Sequence, residues 1–286
     1  MSLSMQVCRK KNRGASSLAQ GLGYQGEDDM KYARFEHEDN ELYGIVKGEE
    51  ILGVDGSIFD KYEETGVRYP ISAVKLLPPV VPTKIVCIGQ NYLEHIQEIG
   101  ATPPEKPLYF LKPPSSLIGP EGDIIYPRNA DRVDYEGELA VVIKRKMKDV
   151  PELETKKYVL GYSCFNDVTE RALVGKDPFN LTIAKGFDTF SAFGPHIVTD
   201  IDPDNVQLKT YLNGELKQDD NTKNCVFSVP YLLHYLSECL TLCPGDIVIT
   251  GTPKGIAPMN PGDLVEVEIE GIGKLSNRVK AADAAQ

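Results

Sequence analysis

The chain has 286 residues, and 31 Lys and Arg against 42 Asp and Glu leave it a formal charge of −11. With 41% apolar and 26% charged residues it can bury a sizeable core, which argues against global disorder. The acidic balance repels phosphate, so nucleic acid is a poor partner, and no run of about 18 apolar residues is present to span a membrane. Six cysteines (Cys8, Cys87, Cys164, Cys225, Cys239 and Cys243) are scattered without a CxxC pair. That spacing fits neither a zinc cluster nor a disulfide scaffold and points to a reduced cytoplasm.

Residues 1–29 carry a basic cluster (Arg9, Lys10, Lys11, Arg13) and then a small, polar stretch to Gly26, which predicts a loosely attached leader. Met30 is expected to begin the folded part. Short alternating runs at 31–36, 42–47 and 50–54, the last followed by Asp55-Gly56, predict a small β-rich module over residues 30–80. The segment Pro78-Pro79-Val80-Val81-Pro82 reads as a stiff linker, because proline removes backbone donors and fixes φ. Residues 81–286 form the remaining body.

Within that body, 84–89 is a continuous apolar run expected to be a buried strand, and 91–99 has apolar residues at helical spacing. Further strands are predicted at 139–143, 158–165, 196–199, 208–212, 246–250 and 264–269. Helices are predicted only at 91–99, 169–175 and 229–241, the last capped by Ser228 with Pro230 at its first position. The expected class is mostly β (α+β), with few short helices and no βαβ rhythm.

The densest chemical cluster is Asp134-Tyr135-Glu136-Gly137-Glu138-Leu139-Ala140-Val141-Val142-Ile143. Residues two apart on a strand share a face, so Glu136 and Glu138 point the same way, towards Ala140 and Val142. Leu139, Val141 and Ile143 occupy the other face, so both sides of the strand are expected to be buried. Two like charges there repel and lose hydration, a conflict that a cation resolves. A solvated strand edge is the plainer alternative. Asp167 follows a second apolar run, 159–165; with the two glutamates it makes an oxygen-only ligand set suited to Mg²⁺, Mn²⁺ or Ca²⁺, although Asn166-Asp167 alone also reads as a turn.

In Asn91-Tyr92-Leu93-Glu94-His95-Ile96-Gln97-Glu98, His95 and Glu98 lie on one helical face, where the carboxylate can orient the imidazole to draw a proton from water. An exposed ion pair is the alternative. Lys185, in Ala184-Lys185-Gly186-Phe187-Asp188-Thr189-Phe190, can donate to a developing oxyanion or snorkel to solvent. Thr250-Gly251-Thr252-Pro253-Lys254-Gly255 offers backbone amides for a substrate carboxylate and lacks the length of a nucleotide-binding loop.

Taken together and in this order, these segments resemble the fumarylacetoacetate hydrolase family from about Lys84 to Val279, and the stretch from Met30 to about Leu77 resembles the short module that often precedes its catalytic domain. The resemblance implies a mixed β-roll catalytic fold, a homodimer and a divalent cation, first of all Mg²⁺. Glu136 and Glu138 match the family's Y-E-x-E-L glutamates and Asp167 its N-D aspartate, which implies a three-carboxylate metal site. His95 and Glu98 match the H-x-x-E of its mobile lid, Lys185 the lysine of A-K-x-F-D-T-F, and Thr252 the T-G-T-P loop. Catalytic roles are implied for His95, Glu98 and Lys185, and substrate contacts for Thr252, Gly251 and Tyr92. The chain departs from the pattern at Ser191-Ala192-Phe193, where the family often has Cys-Pro or Ala-Pro, and in a slightly longer stretch between Thr169 and Lys185.

The implied activity is metal-dependent hydrolysis of a carbon–carbon bond in small acylpyruvate-like β-diketo acids through a metal-stabilised enolate. Isomerisation or decarboxylation of 2-hydroxyhepta-2,4-diene-1,7-dioate or oxaloacetate at the same site is the alternative. A non-catalytic metal-binding β protein ranks third. The partner is therefore a small keto or enol carboxylate.

Overall fold

The structure is a computed structural model that describes residues 30–176 and 181–283. The expected leader over 1–29 lies outside the described residues.

One large sheet runs, from edge to edge, through Tyr62–Pro70, Glu50–Gly56, Asn40–Lys47, Lys31–His37, Ser191–Val198, Val159–Asp167, Gly137–Ile143, Ile247–Ile249, Ile85–Gly89 and Leu108–Lys112. All of these neighbours are antiparallel except Ile247–Ile249 and Ile85–Gly89, which pair in parallel from Ile247↔Ile85 to Ile249↔Cys87. A second sheet, Glu215–Asn221, Gln207–Leu212, Leu264–Ile269, Gly273–Ala281 and Ile124–Tyr126, packs against it. Helices are short: Leu93–Glu98, Arg171–Lys176, Leu181–Lys185 and Val229–Cys239. The strand-dominated class expected from the alternating runs is therefore the fold observed.

Gly137–Ile143 is buried along its whole length. Leu139, Val141 and Ile143 enter the core between the two sheets, with Leu232, Leu233 and Leu236 of the long helix. Ala140 and Val142 face the opposite core, beside Ile85, Cys87, Ile249 and Phe165. Each fully buried side chain of this kind stabilises the fold by about 1.5–3 kcal/mol, so the strand that starts between the two glutamates is firmly anchored. The long helix begins at Val229, capped by Ser228 Oγ accepting from the Tyr231 amide at 3.4 Å, which puts Pro230 one position later than the sequence reading had it.

Several strands have no clear signal in the sequence. Tyr62–Pro70 is exposed at nearly every residue, so no buried face marks a period of two. The Ser191–Val198 strand extends five residues before the predicted 196–199 because Ser191 to Gly194 are all buried and show no alternation. The first four strands are continuous with the rest of the sheet: Lys31 pairs with Val198 and Tyr32 with Ile197.

Candidate active site

Antiparallel pairing sets Gly137 opposite Asn166, so the start of Gly137–Ile143 and the end of Val159–Asp167 lie together. The Glu136 amide donates to Asn166 Oδ1 (3.0 Å), and the Asp167 amide donates to the Glu136 carbonyl (2.8 Å). These bonds bring carboxylate oxygens of Glu136, Glu138 and Asp167 within 4.8 Å of one another, all buried. The ends of Ile85–Gly89 and Ile247–Ile249 reach the same rim and deliver the segments 90–98 and 250–255.

Charge in this cluster is closely arranged. Lys185 Nζ donates to Glu136 Oε2 (2.7 Å) and Asp167 Oδ2 (2.5 Å), and lies 5.2 Å from the Phe110 ring centroid. Burial disfavours its ammonium, but Asp167 and Glu136 outweigh that and hold its pKa above the ordinary lysine value. Burial likewise opposes ionisation of Glu136, yet Lys185 and Arg171 pull it down to about 2. Glu138 is the opposite case: burial and then the charges of Asp167 and Glu136 push it well above the usual carboxylate range, although the Gly251 amide donates to its Oε2 (2.7 Å).

The cluster fits a divalent cation. Three convergent carboxylates, one of them driven towards protonation by burial and then by the other two, form a hard oxygen donor set whose conflict a dication removes.

His95 is 7% exposed, and its Nδ1 lies 2.9 Å from Glu98 Oε2. His95, Glu136, Glu138, Asp167, Lys185 and Thr252 line one cavity of about 190 Å³, together with Arg171 and apolar groups that include Ile99 and Tyr109. Gly251 and Tyr92 are not on that lining: the Gly251 amide is engaged by Glu138, and Tyr92 is fully buried with its hydroxyl against the Cys225 thiol. Thr252 Oγ1 donates to the Gly137 carbonyl (3.0 Å) and accepts from Gln218 Nε2 (2.9 Å), which ties the 250–255 loop to the Gly137–Ile143 strand. Among the described residues, a larger groove of about 900 Å³ between 71–78 and 117–122 holds no comparable set of titratable groups.

Sequence reasoning missed three supporting cations. Lys112, on Leu108–Lys112, is 1% exposed and donates to Asp167 Oδ1 (2.5 Å) and the Phe190 carbonyl (2.6 Å). Arg171 bridges Asp134 (2.9 Å to Oδ2) and Glu136, while Arg132 donates to Asp134 Oδ1 (2.7 Å). A fully apolar strand interrupted only by a terminal lysine, Leu-Tyr-Phe-Leu-Lys, was the one available signal for Lys112.

Residues 84–280 match the fumarylacetoacetate (FAA) hydrolase C-terminal family, and residues 30–79 match a family described as Rv2993c-like, N-terminal. The chain therefore belongs to the fumarylacetoacetate hydrolase family of enzymes. A protein of Archaeoglobus fulgidus is 47% identical over 232 residues, which is 80% of this chain and 90% of that one. The crystal structure of 2-hydroxyhepta-2,4-diene-1,7-dioate isomerase from Mycobacterium marinum superposes with a TM-score of 0.83 at 37% identity, over 89% of this chain and 100% of that chain. Maleylpyruvate hydrolase from Sphingobium sp. SYK-6, solved with manganese(II) and pyruvate, superposes with a TM-score of 0.74 at 28% identity, over 89% of this chain and 100% of that one. Among the described residues no helix is long and apolar enough to cross a membrane.

Proposed function

We propose that the chain hydrolyses a carbon–carbon bond in small acylpyruvate-like β-diketo acids, with Glu136, Glu138 and Asp167 holding a divalent cation. The observation that carries the reading is the pairing of His95 with Glu98 on the wall of the cavity that also holds the three carboxylates. A divalent cation there supplies Lewis-acid polarisation of the substrate's 2-oxo acid head. His95, oriented through Nδ1 by Glu98, takes a proton from water at Nε2 while the water oxygen bonds to the acyl carbon. Lys185 donates to the oxyanion that forms on that carbon. The carbon–carbon bond then breaks, one fragment remaining as the acid and the 2-oxo acid fragment taking up a proton. Thr252 supports the site from the 250–255 loop. Mg²⁺ is the first choice of cation and Mn²⁺ the second, and the same reading takes the protein as a cytoplasmic homodimer.

A second reading, isomerisation of an unsaturated 2-hydroxy dioate, draws support from the Mycobacterium marinum isomerase, which the chain matches over that protein's full length. There the same base moves a proton between carbons and no water is consumed; decarboxylation of oxaloacetate needs the same head group. Ultraviolet absorbance of the enol form of acetylpyruvate, fumarylpyruvate, oxaloacetate and 2-hydroxyhepta-2,4-diene-1,7-dioate, with Mg²⁺ or with EDTA, separates them. Metal-dependent loss of signal with pyruvate and a second acid as products is the expected result. Loss without a second acid moves the assignment to isomerase or decarboxylase, and no turnover of any acylpyruvate overturns the hydrolase reading.

A further inference from the structure

The lid helix Leu93–Glu98 is only six residues long and has no side-chain cap at its start, so it does little to fix Glu98 by itself. Its charged tether to the body, Lys254 Nζ to Glu94 (2.5 Å), joins side chains that are 59% and 53% exposed. A pair that open to water contributes little. Glu98, 33% exposed, is also held by backbone in a bond that is itself open to solvent: the Gly255 amide donates to Glu98 Oε1 at 3.0 Å, which leaves Oε2 for His95 Nδ1.

Gly255 is in turn clamped from two sides. The Tyr135 hydroxyl donates to its carbonyl at 2.8 Å. Its φ of +98° is in the left-handed region, and a Cβ there would sit 2.3 Å from the Lys217 carbonyl oxygen, so only glycine fits. Tyr135 cannot drift, because its ring is fully buried among Val133, Val168, Phe190 and Met259. Its place in the chain, next to Glu136, links the hydroxyl rigidly to the carboxylate cluster.

We propose that Tyr135 is a positioning residue for His95, acting through Gly255 and Glu98. The inference rests on the reading of His95 as the base and adds how its orientation is set. The clamp fixes where the Gly255 amide points, the amide fixes the rotation of the Glu98 carboxylate, and the carboxylate accepts from Nδ1–H. The imidazole is thereby kept in the tautomer whose Nε2 is free to accept a proton.

The test uses the full chain with Tyr135→Phe, Glu98→Ala and the double variant, plus Glu98→Gln. Hydrogen exchange of the Gly255 amide is expected to rise about fivefold in Y135F and in E98A, the equivalent of one ordinary hydrogen bond, and to stay near the parent value in E98Q, which still accepts at Oε1. Towards acetylpyruvate, Y135F is expected to lower kcat about tenfold with KM nearly unchanged, and to cause no further loss once Glu98 is alanine. Unchanged Gly255 exchange in Y135F, or an equal loss of kcat in both backgrounds, overturns the proposal. If Y135F fails to fold, Tyr135→His takes its place with the same two readouts: raised Gly255 exchange with a loss of kcat that vanishes in the E98A background supports the proposal, and unchanged exchange or an equal loss in both backgrounds overturns it. Full turnover by His95→Ala would instead overturn the reading of the base, while the exchange pattern still decides whether the clamp exists.

Discussion

Lys112 Nζ lies 2.5 Å from Asp167 Oδ1 where the lysine side chain is fully buried and the aspartate 2% exposed. A buried pair of this kind is weak as a source of stability but costly to break: without Lys112, Asp167 keeps its desolvation penalty with one of its two lysine partners gone, and the buried Phe190 carbonyl loses its donor. Lys112→Ala is expected to cost about 3–5 kcal/mol, on the order of 10 °C in Tm for a chain of this size. Removing Lys157, whose pair with Glu154 is 65% and 47% exposed, is expected to change Tm by about 1–2 °C. Thermal unfolding of the two variants in EDTA, which keeps added cations out of the comparison, checks this. Equal shifts would remove the buried pair from the account of stability.

The raised pKa of Glu138 gives the proposed metal binding a direction with pH. Burial and the neighbouring charges of Asp167 and Glu136 favour its protonated form, and a proton must leave before the oxygen can ligate. Affinity for Mn²⁺, read from the free-ion paramagnetic resonance signal, is therefore expected to fall as pH is lowered from neutrality. Glu138→Gln should weaken binding on the order of tenfold and flatten that slope. A slope as steep in the variant as in the parent would mean that another group carries it.

His196 sets an acid limit on stability that is independent of the active site. Burial, helped by the charge of Lys31, lowers its pKa from 6.5 to about 4, and its buried Nε2 has no hydrogen-bond partner among the described residues. The unfolded chain therefore binds a proton that the folded chain refuses. Above pH 6.5 the imidazole is neutral in both states and adds no pH dependence, and stability is lost progressively as pH falls from there through about 4. The full effect is about 3 kcal/mol. Urea unfolding at several pH values should show a shallower loss in His196→Gln than in the parent, the carboxylates common to both cancelling in the difference. Parallel curves would sink the assignment.

What the sequence made legible was local. Glu136 and Glu138 flank the first residue of the Gly137–Ile143 strand and His95 and Glu98 stand three apart on a helix, so their proximity follows from backbone period. The site's counter-charges and clamps were not legible because their partners are remote: Lys112 is separated from Asp167 by 55 residues, Arg171 from Glu136 by 35, and Tyr135 from Gly255 by 120. Pairing across such distances is decided by which strands become neighbours, which no window of residues contains. The same reason hid Leu108–Lys112: five residues after a proline-rich stretch carry too little alternation to announce a strand, yet their register with Ile85–Gly89 places the lysine under Asp167. Exposure was equally hard to read. The 250–255 amides look free in sequence, but Gly251 and Gly255 already serve Glu138 and Glu98.

The pairing of Lys31 and Tyr32 with Val198 and Ile197 gives residues 30–79 a part beyond filling space. Ser191–Val198 is the direct neighbour of the strand that ends in Asp167; Leu117–Ile118 covers its outer side at Ser191 and Ala192, and with Lys31 and Tyr32 taken away it would offer unpaired amides and carbonyls at Ile197 and Val198. Such an open border recruits other chains. The amino-terminal strands thus act as a selvage, finishing the woven edge so that the rows behind it, including the one that holds the aspartate, do not fray or catch.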